Sequence, residues 1–300
     1  MNTRKSPLLA LWLSLLPGST ALAQDLLHGA NIEAVGGASV AHVSDNATIT
    51  TNPSMLALSE RYDFAGALFG QLDGDLGWNL NAADSTKGRV GFGAGWTRHV
   101  VNPPLTDDEL PGWTAPGVTP TNRRTTSVFS VGLAFAPGDR KVSFGLGGSI
   151  GSVSHDRLGK QLSADMTVGI GVHPSDVATV GLSVQGLLPV DGPENIPVRI
   201  IGGTRYALED GPSVTLDMGW QVQDANGLGF VTNLGAEAAI GMARPRMGFS
   251  YDGPDRQATL TGGIGADNPA GALDAAMLIP LGPGFSGKHI RGVLTVRIRT

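Results

Sequence analysis

The sequence predicts an all-β chain: a transmembrane antiparallel β-barrel of about fourteen strands with an N-terminal plug segment. Three observations predict it. Apolar and polar residues alternate with period two from Tyr62 to the C-terminus, as strands with two different faces require. The alternating segments are mostly about 9–13 residues long, against about 5–6 for soluble strands and about 9–11 for a tilted membrane-crossing strand. All the long connections fall on every second turn, hence at one end of an up-and-down barrel.

The N-terminus has the three parts of a secretory signal peptide, predicted to span residues 1–23. Arg4 and Lys5 give a positive start, Leu8 to Leu16 an apolar run, and Ala21-Leu22-Ala23 a small-x-small cleavage site before Gln24. The apolar run is far short of the roughly 20 residues of a spanning helix. Residues 24–60 do not alternate and are rich in Ala, Gly, Ser and Thr. So apolar and small a segment is expected to pack inside the barrel mouth as a plug, with Gly36-Gly37 as a turn and Asn52-Pro53 breaking the chain ahead of the first strand.

Residues 61–300 then supply the barrel. Strands are predicted over 61–72, 74–82, 87–99, 122–136, 140–153, 161–173, 177–187, 196–208, 211–223, 228–242, 244–252, 256–267, 271–280 and 289–299. In the sixth, Leu162, Ala164, Met166, Val168, Ile170 and Val172 share one face, and Gln161, Ser163, Asp165 and Thr167 the other. In the ninth, Val214, Leu216, Met218, Trp220 and Val222 oppose Ser213, Thr215, Asp217, Gln221 and Gln223. The last sets Leu294, Val296 and Ile298 against Arg291, Thr295, Arg297 and Arg299. The expected short turns lie at 83–86, 137–139, 174–176, 209–210, 243 and 267–270; the expected long loops include 100–121, 154–160, 188–195 and 281–288. A soluble β-sandwich shows the same alternation, but strand length, loop parity and apolar faces nearly free of charge argue against it. A Lys or Arg facing lipid costs about 2–4 kcal/mol at the midplane, and Arg199, Arg205, Arg291 and Arg297 fall on the opposite, lumen-facing register. That register reads as Ser, Thr, Gly, Gln, Asp and Arg, a polar lumen.

Composition narrows the function. Charged residues are 16%, against roughly 25% in an average domain, and Gly is 44 of 300, about twice its usual share. A net charge of −5 without basic blocks excludes nucleic acid as the natural partner. The absence of Cys excludes thiol chemistry and Cys-ligated zinc. Gly147-Gly148-Ser149-Ile150-Gly151 matches G-x-S-x-G but lies inside an alternating strand, not at a strand-to-helix elbow. The six His are unpaired at metal-binding spacings, and Leu72-Asp73-Gly74-Asp75 reads as a solvated hairpin. No enzyme, cofactor or metal site is expected.

The stretch GGASVAHVSDNATITTNPSMLAL resembles the N-terminal signature of the FadL-like outer-membrane barrels through Gly36, Gly37, Ala38, Asp45, Asn46, Ala47, Asn52, Pro53 and Leu56, with Ser54-Met55 where that family has Ala-Gly. The C-terminal third resembles the PorV/PorQ-like branch through Gly235, Ala236, Glu237, Gly248, Tyr251, Leu273, Asp274, His289 and Arg291, although the chain ends Ile298-Arg299-Thr300 rather than on an aromatic residue. The resemblance implies a fourteen-stranded plugged barrel in the outer membrane. It implies passage of small hydrophobic molecules or, alternatively, a scaffold for an exported protein. The expected plug and transport-path residues are Asp45, Asn46, Asn52 and Pro53, and the expected partner-binding residue is Trp113 in the Pro-rich loop 100–121. The expected partners are outer-membrane lipid and either a hydrophobic small molecule or an exported protein.

Overall fold

A computed structural model describes residues 28–43, 47–71, 75–86, 88–101, 123–155, 159–188, 197–209, 211–223, 227–253, 256–282 and 287–299. Fourteen antiparallel strands close into one barrel: β1 (Tyr62–Gln71), β2 (Leu76–Asp84), β3 (Val90–Val101), β4 (Arg124–Phe135), β5 (Val142–His155), β6 (Gly159–Ser175), β7 (Ala178–Gln185), β8 (Val198–Ala207), β9 (Ser213–Gln223), β10 (Gly227–Glu237), β11 (Ala243–Asp252), β12 (Gln257–Asn268), β13 (Gly271–Leu281) and β14 (Arg291–Arg299). Each strand pairs with its sequence neighbours, and β1 pairs with β14 from Asp63↔Arg299 to Gln71↔Arg291, so the sheet has no free edge.

Alternation sets the two faces. On β4, Phe129, Val131, Leu133 and Phe135 point outward while Val128, Ser130, Gly132 and Ala134 are buried within. On β14, Leu294, Val296 and Ile298 point outward against Val293, Thr295 and Arg297. Leu68, Phe144, Met218, Trp220 and Leu273 continue the apolar exterior around the barrel. A continuous apolar belt of this extent is incompatible with water as the surrounding solvent and fits hydrocarbon. No helix among the described residues is long and apolar enough to cross a membrane; the strands do the crossing.

The observed strands agree with the sequence expectation to within a few residues, except at β10. The alternation of Ala239 to Met242 reads as strand, yet residues 238–242 form the turn to β11, closed by an Ile240↔Ala243 bridge with Gly241 at φ +60°. The predicted one-residue turn at 243 is therefore wrong: residue 243 begins β11. Connections 102–123, 186–197 and 282–290 lie at one end, here the long-loop end, and the chain enters β1 from the other, short-turn end.

Inside the barrel lies a non-strand inner segment. Single-turn helices α1 (Ala30–Glu33) and α2 (Thr48–Thr51) and a 3-10 turn (Pro53–Ala57) are almost wholly buried by the wall. Helices this short have no stability of their own; the lumen holds them.

Candidate functional site

The lumen is filled with backbone, and glycine makes that possible. On β5 a Cβ at Gly145 would overlap the Ser54 amide nitrogen and the Pro53 carbonyl carbon. On β6 a Cβ at Gly169 would overlap the Asn52 side-chain oxygen, and on β7 one at Gly181 would overlap the Val40 carbonyl. Gly235 on β10 and Gly248 on β11 stand in the same way against Val35 and Gly36. The excess of glycine in the composition is thus a collar of bare wall around the inner segment. Gly36 and Gly37 have φ of +73° and +79°, reversing the chain after α1, and the Gly37 amide closes that turn on the Ile32 carbonyl at 2.9 Å.

Polar ties fix the segment. The buried Asp217 carboxylate on β9 accepts from the Ser39 and Val40 amides at 2.7 and 3.0 Å through one oxygen. The Ala30 amide donates to Thr295 Oγ1 at 2.7 Å and the Gly36 amide to Thr261 Oγ1 at 3.0 Å. Asn52 is fully buried; its side-chain amide donates to the Val40 carbonyl at 2.7 Å and to the Ile170 carbonyl of β6 at 3.4 Å, and its oxygen accepts from Ser54 Oγ at 2.7 Å. Asn52 therefore joins the two halves of the segment to each other and to the wall. Pro53 opens the 3-10 turn, where its missing N–H is no loss.

The lumen wall divides by polarity along its axis. In the short-turn half, strands β10–β14 and β1 carry ion pairs that bridge strand to strand. Arg246 binds Glu237 and, at 2.5 Å, Asp274; Asp274 also binds Arg297 at 2.9 Å. Gly265 lies between, and a Cβ there would strike the Arg246 and Asp274 side chains. A second tier runs Arg244–Asp267–Arg299–Asp63, with Arg61 on Asp63 at 3.4 Å. Burial and then the guanidinium groups of Arg205, Arg297, Arg246 and Arg61 hold the His42 imidazole of the inner segment well below its ordinary pKa, so it is neutral at pH 7.

In the long-loop half the same register carries Phe69, Val101, Val128, Val153, Ile201, Val231, Leu278 and Val293, all buried. These corrugate an otherwise Ser-, Thr- and Gln-bearing wall with apolar side chains. Phe69, Leu278 and Val293 pack onto Ala30 and Ala34, and Ile201 and Val231 onto Val40. The expectation of a uniformly polar lumen is therefore incorrect. The apolar members were hidden because strands such as β4 are apolar on both faces near Val128-Phe129.

Of the residues singled out in the sequence, Asn52 and Pro53 meet at the centre of the inner segment. Asp45, Asn46 and Trp113 lie outside the described residues. Asp217 and the collar glycines Gly145, Gly169 and Gly181 were not singled out, although an aspartate on a lumen register was the available signal. Ser149 faces the lumen and shares a hydrogen bond of 2.8 Å with Ser130 Oγ. Among the described residues there is no cluster of His, Asp and Glu able to hold a metal ion.

No protein-family model matches the sequence, and no curated protein sequence does. Solved structures do. The Ralstonia pickettii toluene transporter TbuX matches with TM-score 0.68 at 14% identity, over 91% of this chain and 98% of that one. The Pseudomonas putida toluene transporter TodX gives 0.69 at 12% identity, over 91% and 98%. The monoaromatic hydrocarbon channel CymD gives 0.64 at 12% identity, over 92% and 97%. The chain thus shares the closed fourteen-stranded barrel fold of these transporters, the fold that the resemblance to FadL-like barrels implies.

Proposed function

We propose that this protein is an outer-membrane channel that passes small hydrophobic molecules, with residues 24–60 as its plug and residues 1–23 as its export signal. The observation that carries the reading is the apolar inner face of the long-loop half of the lumen, where Phe69, Leu278, Ile201 and Val231 pack against the inner segment and Val101, Val128 and Val153 share their register. A porin for hydrophilic solutes has no use for Phe69, Val128, Ile201, Val231 and Leu278 on its inner face. An apolar solute is stabilised on entering such a surface by about 25 cal/mol per Å² removed from water. With the short turns facing the periplasm, as in bacterial barrels, this lined half opens outward. The transport described for TbuX, TodX and CymD supports the same class of cargo. Asn52 and Pro53 hold the plug in register and do no chemistry; the protein is not an enzyme on this reading.

Uptake of a labelled monoaromatic hydrocarbon at low external concentration tests it. A deletion strain should take it up several-fold more slowly, with recovery by the wild-type chain but not by a chain carrying Phe69→Asn and Leu278→Asn at equal surface abundance. Unchanged uptake in the deletion strain overturns the proposal. The scaffold alternative rests on loop 100–121, of which residues 102–121 lie outside the described residues, and no structural observation favours it.

A further inference from the structure

Charge is nearly absent from the lipid-facing register. Among the described strand residues on that face, only Asp84, Arg98 and Lys160 are ionic. Asp84 lies at the short-turn end of β2. Arg98 and Lys160 lie at the long-loop ends of β3 and β6, both exposed. They stand just past a sharp border. The outermost exposed bulky apolar side chains on four consecutive strands are Trp96, Phe129, Ile150 and Leu162, with the half-buried Val100 alone farther out, on β3. Immediately beyond them come Arg98, Ser127, Ser152 and Lys160.

Pairing puts Arg98, Ser127 and Ser152 in one row, with Lys160 one step farther out beside Ser154. Arg98 pairs with Ser127, Ser127 with Ser152, and on the next step outward Ser154 with Lys160. Trp96 donates its indole N–H to Ser127 Oγ at 3.0 Å, which leaves that hydroxyl's proton free to donate outward. Three strand spacings at about 4.8 Å and a two-residue step outward at about 3.4 Å per residue separate the two cations, about 16 Å in all. The arc across the barrel carries no charge at this level: there the lipid-facing positions near the long-loop ends of β9–β13 are Val222, Leu228, Tyr251, Ala258 and Leu281. The row is therefore a local feature and not a girdle common to the whole rim.

We propose that this row on β3–β6 binds a phosphate-bearing lipid headgroup of the outer leaflet. A guanidinium fork and an ammonium flanking serine hydroxyls, at the level where acyl chains give way to headgroups, match phosphate oxygens carried on a broad sugar headgroup. The inference rests on the outward orientation of the long-loop end given above, but not on transport.

Native mass spectrometry of the full-length barrel, released from mild detergent with diphosphoryl lipid A, tests it. The wild-type chain is expected to retain the lipid one-to-one. R98Q and K160Q should each weaken retention about fivefold, K160R should restore it, and V222Q across the barrel should leave it unchanged. Dephosphorylated lipid should not be retained. Equal retention of the dephosphorylated lipid, undiminished binding by the R98Q/K160Q double variant, or full displacement by equimolar inorganic phosphate overturns the proposal. Both substitutions lie on the exterior, and heat-modifiable migration on gels reports the folded fraction of each. Hydrocarbon uptake reads the lumen and is insensitive to K160Q, so this proposal and the channel reading fail separately.

Discussion

Replacing Asp217 by Ala should release one stretch of the inner segment while leaving the barrel intact. The carboxylate is 1% exposed and one of its oxygens accepts from two consecutive backbone amides, Ser39 and Val40. Its other oxygen has no hydrogen-bond partner among the described residues and points at Gly203. Truncation leaves two buried donors unpaired, at about 1–3 kcal/mol each. The local opening equilibrium should therefore shift by about 3 kcal/mol or more, which is about 100-fold. Asp217→Asn keeps an acceptor and loses only the charge assistance, about 1 kcal/mol and about fivefold. Amide hydrogen exchange followed by mass spectrometry reads this directly, because opening free energy sets the exchange rate. Peptides covering residues 38–43 should exchange about 100-fold faster in Asp217→Ala, while those covering 53–57, wedged against the glycines of β5, should not change. Equal protection of residues 38–43 in Asp217→Ala and wild type would refute the role of this carboxylate as the tie.

Gly145→Ala should lower the thermal stability of the folded barrel by about 1–3 kcal/mol through overpacking against the Ser54 backbone. Gly70→Ala, whose Cβ meets nothing nearer than the Asp75 carbonyl at 3.8 Å, should be neutral; equal effects in heat-modifiability assays would remove the collar argument. Asp274→Ala strips the carboxylate from Arg297 and one of two from Arg246, and should cost about 3–5 kcal/mol in urea unfolding. A loss under about 1 kcal/mol would mean that water replaces the carboxylate. His42 is held neutral in the packed state, while the free imidazole titrates at about 6.5. The unpacked form therefore binds more protons below that pH, so packing is fully retained above about pH 6.5 and weakens as the pH falls below it. Exchange at residues 38–43, corrected for intrinsic rates, should rise from pH 7 to pH 5 and lose that dependence in His42→Gln.

What the sequence made legible follows from what a barrel wall demands. Two different solvents on the two faces force period two, so β6, β9 and β14 could be phased from the alternation alone, down to Arg297 facing inward. Turns carry no such demand. Residues 239–242 continue an apolar alternation across a reversal, and only the positive φ of Gly241 marks the bend. The site was less legible still. Asn52 stands out beside Pro53, but its bonds reach the Val40 and Ile170 carbonyls, 12 and 118 residues away, and no local pattern encodes those partners. A lumen-facing valine such as Val128 looks like its lipid-facing neighbour Phe129 in any hydropathy profile, since both positions are dry for different reasons.

Two oddities of composition have a single geometric cause. Charge is scarce because most of the exterior must meet hydrocarbon, and the ionic strand residues of the short-turn half, Asp84 apart, face the lumen. There they bridge strands: Arg246 reaches Asp274 past Gly265, where any side chain would intrude. Glycine is abundant because the remaining wall must approach a backbone, not a side-chain core; at Gly145, Gly169 and Gly181 the inner segment comes close enough to exclude even a methyl group. An open, water-filled pore shares the apolar exterior but has no need of the glycines, since its inward side chains are solvated. Phe69, Leu278 and Val231 extend the same packing, burying apolar side chains of the wall against Ala30, Ala34 and Val40 of the inner segment. Glycine enrichment and sparse charge are thus two expressions of one architecture: a barrel whose exterior meets hydrocarbon and whose lumen is filled with closely packed backbone.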